Sequence, residues 1–271
     1  MKKMLIVLLL ISTALVAKDY ALIVAISKYK SSDIEPLSTK KDIQHYESIL
    51  KKMNFKGNPL NLIDEKATKF NILKDIKNIS QVIKKNDRFF MFFTGHGTDY
   101  RDVDFGSKIQ ETLPKKYFLN TGMLLPYDFN PKKSVIANTV IIGKRDLRES
   151  FETIDEKTSK ALIVFDACFS ENSSKGTLQN SPIRFLHLDT ENTSYPYQNI
   201  VYIGASKTQA RSGKLSNVLD GCIGKNTSFG ELKSCMNKRL KKSPHKAMVF
   251  SNSSEPMIFE NKKYLALGEM K

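Results

Sequence analysis

Two dense apolar runs constrain what this chain can fold into. The first is Arg88-Phe89-Phe90-Met91-Phe92-Phe93-Thr94-Gly95-His96-Gly97. The second is Lys160-Ala161-Leu162-Ile163-Val164-Phe165-Asp166-Ala167-Cys168-Phe169-Ser170. Neither run alternates apolar with polar, so neither suits a strand with one face in water. Each reads as a strand buried on both faces, as in a parallel sheet covered by helices. In such sheets ligands bind beyond the carboxyl ends of the strands. One run therefore brings a histidine, and the other a cysteine, to the same edge. A thiol and an imidazole able to take its proton are what a cysteine nucleophile requires.

The segments around these runs predict the rest of an α/β fold. Residues 20–27 read as a first buried strand and 60–64 as a short second one. Ile43, Tyr46, Ile49 and Leu50 recur at a helical period within 38–53. Thr68 is placed to cap a helix running to about Lys84, with Phe70, Ile72, Leu73, Ile76, Ile79 and Ile83 inward. Residues 98–140 are too long for a plain loop and are expected to form an insertion with a hairpin. Residues 144–156 read as a helix with Leu147, Phe151 and Ile154 on one face, and 170–197 as a mobile loop. A strand over 200–205, a helix over 229–240 and a final strand over 247–251 follow. Strands alternating with helices predict a mainly parallel central sheet flanked by helices. No Pro/Gly-rich linker divides it, so residues 18–271 read as one domain.

The chain has 43 Lys and Arg against 28 Asp and Glu, a net charge of +15, yet the excess is spread along it. Residues 238–242 are the one dense basic run. Nothing interleaves basic and aromatic residues as a nucleic-acid surface does, so nucleic acid is not an expected partner. The 41% hydrophobic content is enough for a substantial core and argues against disorder. At the N-terminus, Lys2 and Lys3 precede an apolar stretch over 4–16 that is short for a membrane span. Residues 1–17 therefore read as a signal peptide, cleaved after Ala17 or, alternatively, Ala14. No Cys follows the stretch, so a lipoprotein anchor is not expected, and cleavage of the signal would leave no stable membrane anchor. The mature chain is expected to be exported, periplasmic or secreted.

Taken singly, the two motifs say little. Gly-His-Gly after a strand is commonly a tight turn, and a strand-end Cys is commonly an inert buried thiol. Their joint occurrence at strand ends of like polarity says more. Gly95 and Gly97 allow a sharp turn and a close backbone approach to a substrate. The Gly97 amide, with that of Cys168, is then a natural oxyanion donor.

These residues resemble the caspase-like clan of cysteine peptidases (peptidase family C14), in particular metacaspases and bacterial caspase-domain proteins. The resemblance runs over nearly the whole mature chain. Residues 21–26 are similar to the family's first strand, and Asp42 and Leu50 sit in a helix like its first one. Asp64, Ala67 and Thr68 resemble the turn before its second helix. Phe93-Thr94-Gly95-His96-Gly97 matches the histidine motif, and residues 125–128 resemble the segment after it. Asp166, Cys168 and Ser170 match the cysteine motif, which departs from the family at Phe169 and Glu171. The resemblance implies a caspase-like three-layer sandwich and peptide-bond hydrolysis by a Cys168–His96 dyad, with polypeptides as substrates. His96 and Cys168 are 72 residues apart, more than the roughly 50 of caspases, so the intervening region carries an insertion.

Asp166 lies two residues before Cys168, on the same side of a strand. In resembling enzymes this position lines the S1 pocket and holds Lys or Arg by charge-assisted hydrogen bonds, and Ser206 resembles its other wall. The bland alternative is an Asp that merely caps the strand. Resembling enzymes are often cut in the loop after the Cys, and Lys175 and Arg184 are the basic residues that make this loop a candidate for autoprocessing. Cys222 and Cys235 can pair in an oxidising compartment or remain two buried thiols; both readings stand. His45 is expected on a surface helix, and His187 and His245 in loops or edges. None groups with Cys at metal-ligand spacing, so no zinc site is expected. Calcium activates some metacaspases, but no dense acidic loop supports it here, and no cofactor is expected. Two rivals remain: an inactive caspase-fold scaffold that binds peptides, and a flavodoxin-like hydrolase. The second lacks both a Gly-rich phosphate loop and a Gly-x-Ser-x-Gly elbow.

Overall fold

In the computed structural model, the two apolar runs form neighbouring central strands of a six-stranded sheet. The structure describes residues 17–100, 102, 104–119, 121–158, 160–167, 197–205, 213–224, 227, 229–240, 247–250, 257–260 and 263–266. Along the chain the strands are β1 (Asp19–Ala25), β2 (Leu60–Ile63), β3 (Arg88–Gly95), β4 (Gly97–Thr98), β5 (Met123–Leu124), β6 (Ile141–Ile142), β7 (Lys160–Ala167), β8 (Ile200–Ala205), β9 (Ala247–Phe250), β10 (Met257–Glu260) and β11 (Lys263–Ala266). The helices are α1 (Lys40–Lys52), α2 (Lys69–Val82), α3 (Gly106–Thr112), α4 (Lys115–Phe118), α5 (Ile136–Thr139), α6 (Arg148–Lys157), α7 (Lys214–Cys222) and α8 (Phe229–Leu240). The main sheet runs β2-β1-β3-β7-β8-β9, its first five strands parallel and β9 antiparallel to β8.

Strand parity divides the core into two layers. Phe89, Met91 and Phe93 of β3, with Ala161, Ile163 and Phe165 of β7, meet Ile72, Ile76 and Ile79 of α2 and Phe151 and Ile154 of α6. Phe90 and Phe92, with Leu162 and Val164, meet α1, α7 and α8 on the other face. Full burial of each such side chain is worth about 1.5–3 kcal/mol, which is why the two runs take the central places. At the amino end of the sheet, Arg88 forks onto Asp19 with bonds of 2.7 and 2.5 Å and donates to the Met53 carbonyl at 3.1 Å. This bidentate pair ties β1, β3 and the end of α1 together.

Several sequence expectations need correcting. The Thr68 hydroxyl caps α2, accepting the Asn71 amide at 3.2 Å. Phe70 does not point inward, however, and is 70% exposed. It precedes Ile72 by two residues, about 200° around the helix, and Lys74 lies 5.8 Å from its ring centroid. The insertion carries more than one hairpin pairing, its consecutive strands forming a three-stranded antiparallel sheet, β4-β5-β6. Its separate core contains Ile109, Phe118, Met123, Phe129 and Ile136, and takes in Ile34 from the loop after β1. The helix expected from Lys144 opens as a π-type turn over Gly143–Leu147 before α6. β9 is not the last strand, since the antiparallel hairpin β10–β11 follows. The sequence pattern does not predict α7.

Candidate active site

The parallel register of β3 and β7 pairs Thr94 with Asp166 and Gly95 with Ala167. The next residues in the two chains are His96 and Cys168. Cys168 itself lies outside the described residues, as do Ser206, Lys175, Arg184, His187, His245 and residues 1–16 of the expected signal peptide. The strand order reverses one strand away along the same edge, between β1 and β3, since β1 is flanked by β2 on one side and β3 on the other. Crevices at such reversals are the usual ligand sites of open α/β sheets.

His96 is held by the loop that leaves β1. Its Nε2 lies 2.8 Å from the Glu35 carbonyl oxygen. A carbonyl can only accept, so Nε2 carries the proton and Nδ1 keeps the lone pair. The backbone N–H of His96 donates to the Tyr29 hydroxyl at 2.7 Å, and the two rings sit 5.3 Å apart. Burial pulls the imidazole below its ordinary 6.5, and the Glu35 carbonyl, the Glu35 carboxylate and the Asp102 carboxylate offset that only in part. At neutral pH it is therefore an uncharged base. Gly97 stands opposite Leu124 in the small sheet, and the Leu125 amide donates to the His96 carbonyl at 3.0 Å. That makes Gly97–Leu124 the non-hydrogen-bonded pair, so the Gly97 N–H turns away from β5.

Asp166 sits on the same face of the sheet as Leu162 and Val164, and is 4% exposed. It does not merely cap a strand, for α1 brings a second carboxylate beside it. Thr94 Oγ1 donates to Asp42 Oδ2 at 2.9 Å, and Ser216 Oγ donates to Asp42 Oδ1 at 2.5 Å. The Ser216 amide donates to Asp166 Oδ2 at 3.4 Å. Burial, then the Asp42 carboxylate, pushes the Asp166 carboxyl up to about 8, while the Ser216 amide works the other way. Two acids thus converge on the amino end of α7, where the helix dipole favours negative charge. Tyr46, stacked on Phe92 at 4.6 Å, is buried close by, and its hydroxyl has no hydrogen-bond partner among the described residues. Burial first, then Asp166 and Asp42, pushes its phenol well above 10.

Sequence alone does not point to Glu35, Tyr29 or Ser216, and it offers Asp42 without its partner. A signal for Asp42 was present. Positions 42, 46, 49 and 50 form one helical stripe, and an acid on an otherwise apolar stripe asks for a buried role.

Away from this edge, a disulfide joins Cys222 at the end of α7 to Cys235 in α8. His45 is not a plain surface residue. Its Nδ1 lies 2.9 Å from Asp220 Oδ2, while Ser48 Oγ and Lys52 Nζ donate to Asp220 Oδ1 at 2.8 and 2.6 Å. Burial disfavours the Asp220 charge, but these bonds hold its carboxyl below 3.8. Among the described residues no three His, Cys, Asp or Glu side chains converge as metal ligands, and no helix is long and apolar enough to cross a membrane.

With the fold and this edge established, the relatives are informative. The model of the caspase domain family, peptidase C14, matches residues 18–256. The chain belongs to the caspase-domain family. Among solved structures it is similar to protein GSU0716 from Geobacter sulfurreducens, at a TM-score of 0.55 and 13% identity, covering 86% of this chain and 92% of that one. That likeness is one of fold. No curated protein matches the chain.

Proposed function

We propose that this chain is a cysteine endopeptidase with Cys168 as nucleophile and His96 as its proton partner, cleaving after Lys or Arg. The register carries the reading: it sets positions 96 and 168 one step beyond paired residues of adjacent parallel strands. His96 Nδ1 takes the thiol proton, and the thiolate attacks the carbonyl carbon. The Gly97 and Cys168 amides donate to the oxyanion. His96 then gives its proton to the departing amine, and the acyl-enzyme is hydrolysed by water that His96 deprotonates. The Asp42–Asp166 pair receives the cationic side chain, with Ser206 as a further wall. Residues 1–17 direct export, which the Cys222–Cys235 bridge supports, since disulfides persist in oxidising compartments. Self-cleavage falls between residues 173 and 197, at Lys175 or Arg184.

The test is hydrolysis of fluorogenic peptides carrying Arg, Lys or Asp before the bond, by purified wild type and Cys168→Ala. Arg and Lys peptides should be cut, Asp peptides spared, and Cys168→Ala inert. Near wild-type turnover by Cys168→Ala would end the reading. A wild type that binds Arg peptides without cutting them would make the chain a peptide-binding scaffold.

A further inference from the structure

We propose that Tyr29 is the positioning residue for His96, and that Asp64 clamps the loop that carries it. The catalytic use of His96 rests on the peptidase reading above; the geometry does not. β3 ends at Gly95, and the next amide, that of His96, gives its hydrogen bond to a side chain, the Tyr29 hydroxyl at 2.7 Å. Before that point the ladder is ordinary, with the Ile26 amide on the Thr94 carbonyl at 2.9 Å. Tyr29 thus receives the amide at the point where the chain turns to present the imidazole.

Gly95 explains how the phenol gets there. A Cβ at this position would lie 3.1 Å from the Tyr29 hydroxyl and 3.1 Å from two atoms of the Phe93 ring. The first glycine of the Gly-His-Gly motif therefore leaves room for Tyr29 as well as for the turn. Any larger residue would push on the hydroxyl or the ring.

The loop bearing Tyr29 is anchored at its base. Asp64 accepts the Ser27 amide at 2.7 Å, the Ser27 hydroxyl at 2.8 Å and the Lys28 amide at 3.1 Å. Its own backbone is left-handed, φ 46, a conformation Asp tolerates better than most residues. The Lys30 amide donates to the Tyr127 carbonyl, and the Leu37 amide closes the loop on the Ser27 carbonyl at 2.8 Å. Within this closed loop lie both holders of His96, the Tyr29 hydroxyl and the Glu35 carbonyl. One gripping the backbone and the other gripping Nε2, they fix where Nδ1 points.

The experiment compares Tyr29→Phe and Asp64→Asn with wild type in the full chain. Tyr29→Phe keeps the ring and removes only the hydroxyl that receives the His96 amide. With an Arg peptide, it should lower kcat about 10-fold with KM within about twofold, as expected when a base is misplaced without loss of substrate contacts. Asp64→Asn should shift kcat in the same direction by less. The second readout needs no activity: NMR titration of the His96 imidazole in a Cys168→Ala background. Tyr29→Phe should move that titration upward, towards 6.5, as the ring loses its buried pose. Wild-type kcat together with an unmoved His96 titration in Tyr29→Phe would overturn the proposal. If wild type shows no Cys168-dependent hydrolysis, the peptidase reading fails, and the imidazole titration alone decides the role of Tyr29.

Discussion

Replacing Asp166 by Asn tests the acidic pair more sharply than any activity measurement. The carboxyl is ordinarily near 3.8 and is pushed up to about 8 in the folded chain. Between those values the native protein holds a proton that the unfolded chain has released. Linkage then makes stability fall as pH rises, by about 1.4 kcal/mol per pH unit for one such group. Summed over the window, this cost is on the order of 5 kcal/mol by pH 8, a large share of the 5–15 kcal/mol typical of a domain. Asparagine is close in shape, keeps an acceptor for the Ser216 amide and never ionises. Asp166→Asn should therefore match wild type near pH 4 and be the more stable protein above pH 7. The gap should widen by roughly 4 kcal/mol between pH 5 and pH 8. Urea unfolding followed by circular dichroism, in a Cys168→Ala background to prevent self-digestion, measures it. A gap that stays constant across that range would show that Asp166 is not a buried, proton-holding acid. The same substitution should weaken the preference for Arg and Lys peptides, because a bound cation favours loss of the Asp166 proton and pairs with the carboxylate, which an amide cannot become.

Three other outcomes follow from the geometry. The logarithm of kcat/KM should fall with slope one as pH drops through the depressed His96 value below 6.5, and His96→Ala should lose activity as fully as Cys168→Ala; a flat acid limb would count against His96 as the base. Reducing the Cys222–Cys235 bridge, which closes a separation of 13 residues, should cost about 3 kcal/mol and lower the melting temperature; an unchanged melting curve in dithiothreitol would contradict this. Asp220→Ala removes the acceptor shared by His45, Ser48 and Lys52 between α1 and α7, and should cost about 1–2 kcal/mol by urea titration, the partial exposure of the group keeping the figure modest.

The parts of the fold that burial alone dictates were legible. Five consecutive apolar residues at 89–93 leave no polar face, so β3 could only be central, and 161–165 make the same case for β7. Thr68 was readable as a cap because a hydroxyl before a periodic run has one obvious use. Other features answered to partners distant in sequence. α7 has three periodic apolar residues, Leu215, Val218 and Leu219, among Ser, Asn, Asp and Gly, and its helicity comes from packing against α1 and α8. At Gly221 an added Cβ would lie 2.3 Å from the Arg239 guanidinium, a contact visible only after α8 has docked. Phe70 misled because its hydrophobicity counted for more than its angle on α2. The Glu35 carbonyl leaves no trace in sequence at all, since every residue has one. His96 could be found by its residue type, whereas the groups that orient it could be found only in space.

The closed loop after β1 leads straight into α1, and this has a consequence for engineering. Residues 27–37 hold the imidazole, and five positions later the same stretch of chain delivers Asp42 to the acid pair. On the proposed reading, side-chain preference and turnover are thus threaded on one short string. Libraries that diversify the entry to α1 to accept a neutral or acidic residue will disturb the Leu37–Ser27 closure, and selection will discard them as slow rather than as unselective. The opposite wall, Gly213 to Ser216 at the head of α7, reaches the acids without passing through the His96 loop. Retargeting should begin there, where recognition can drift while the reaction's geometry stays still.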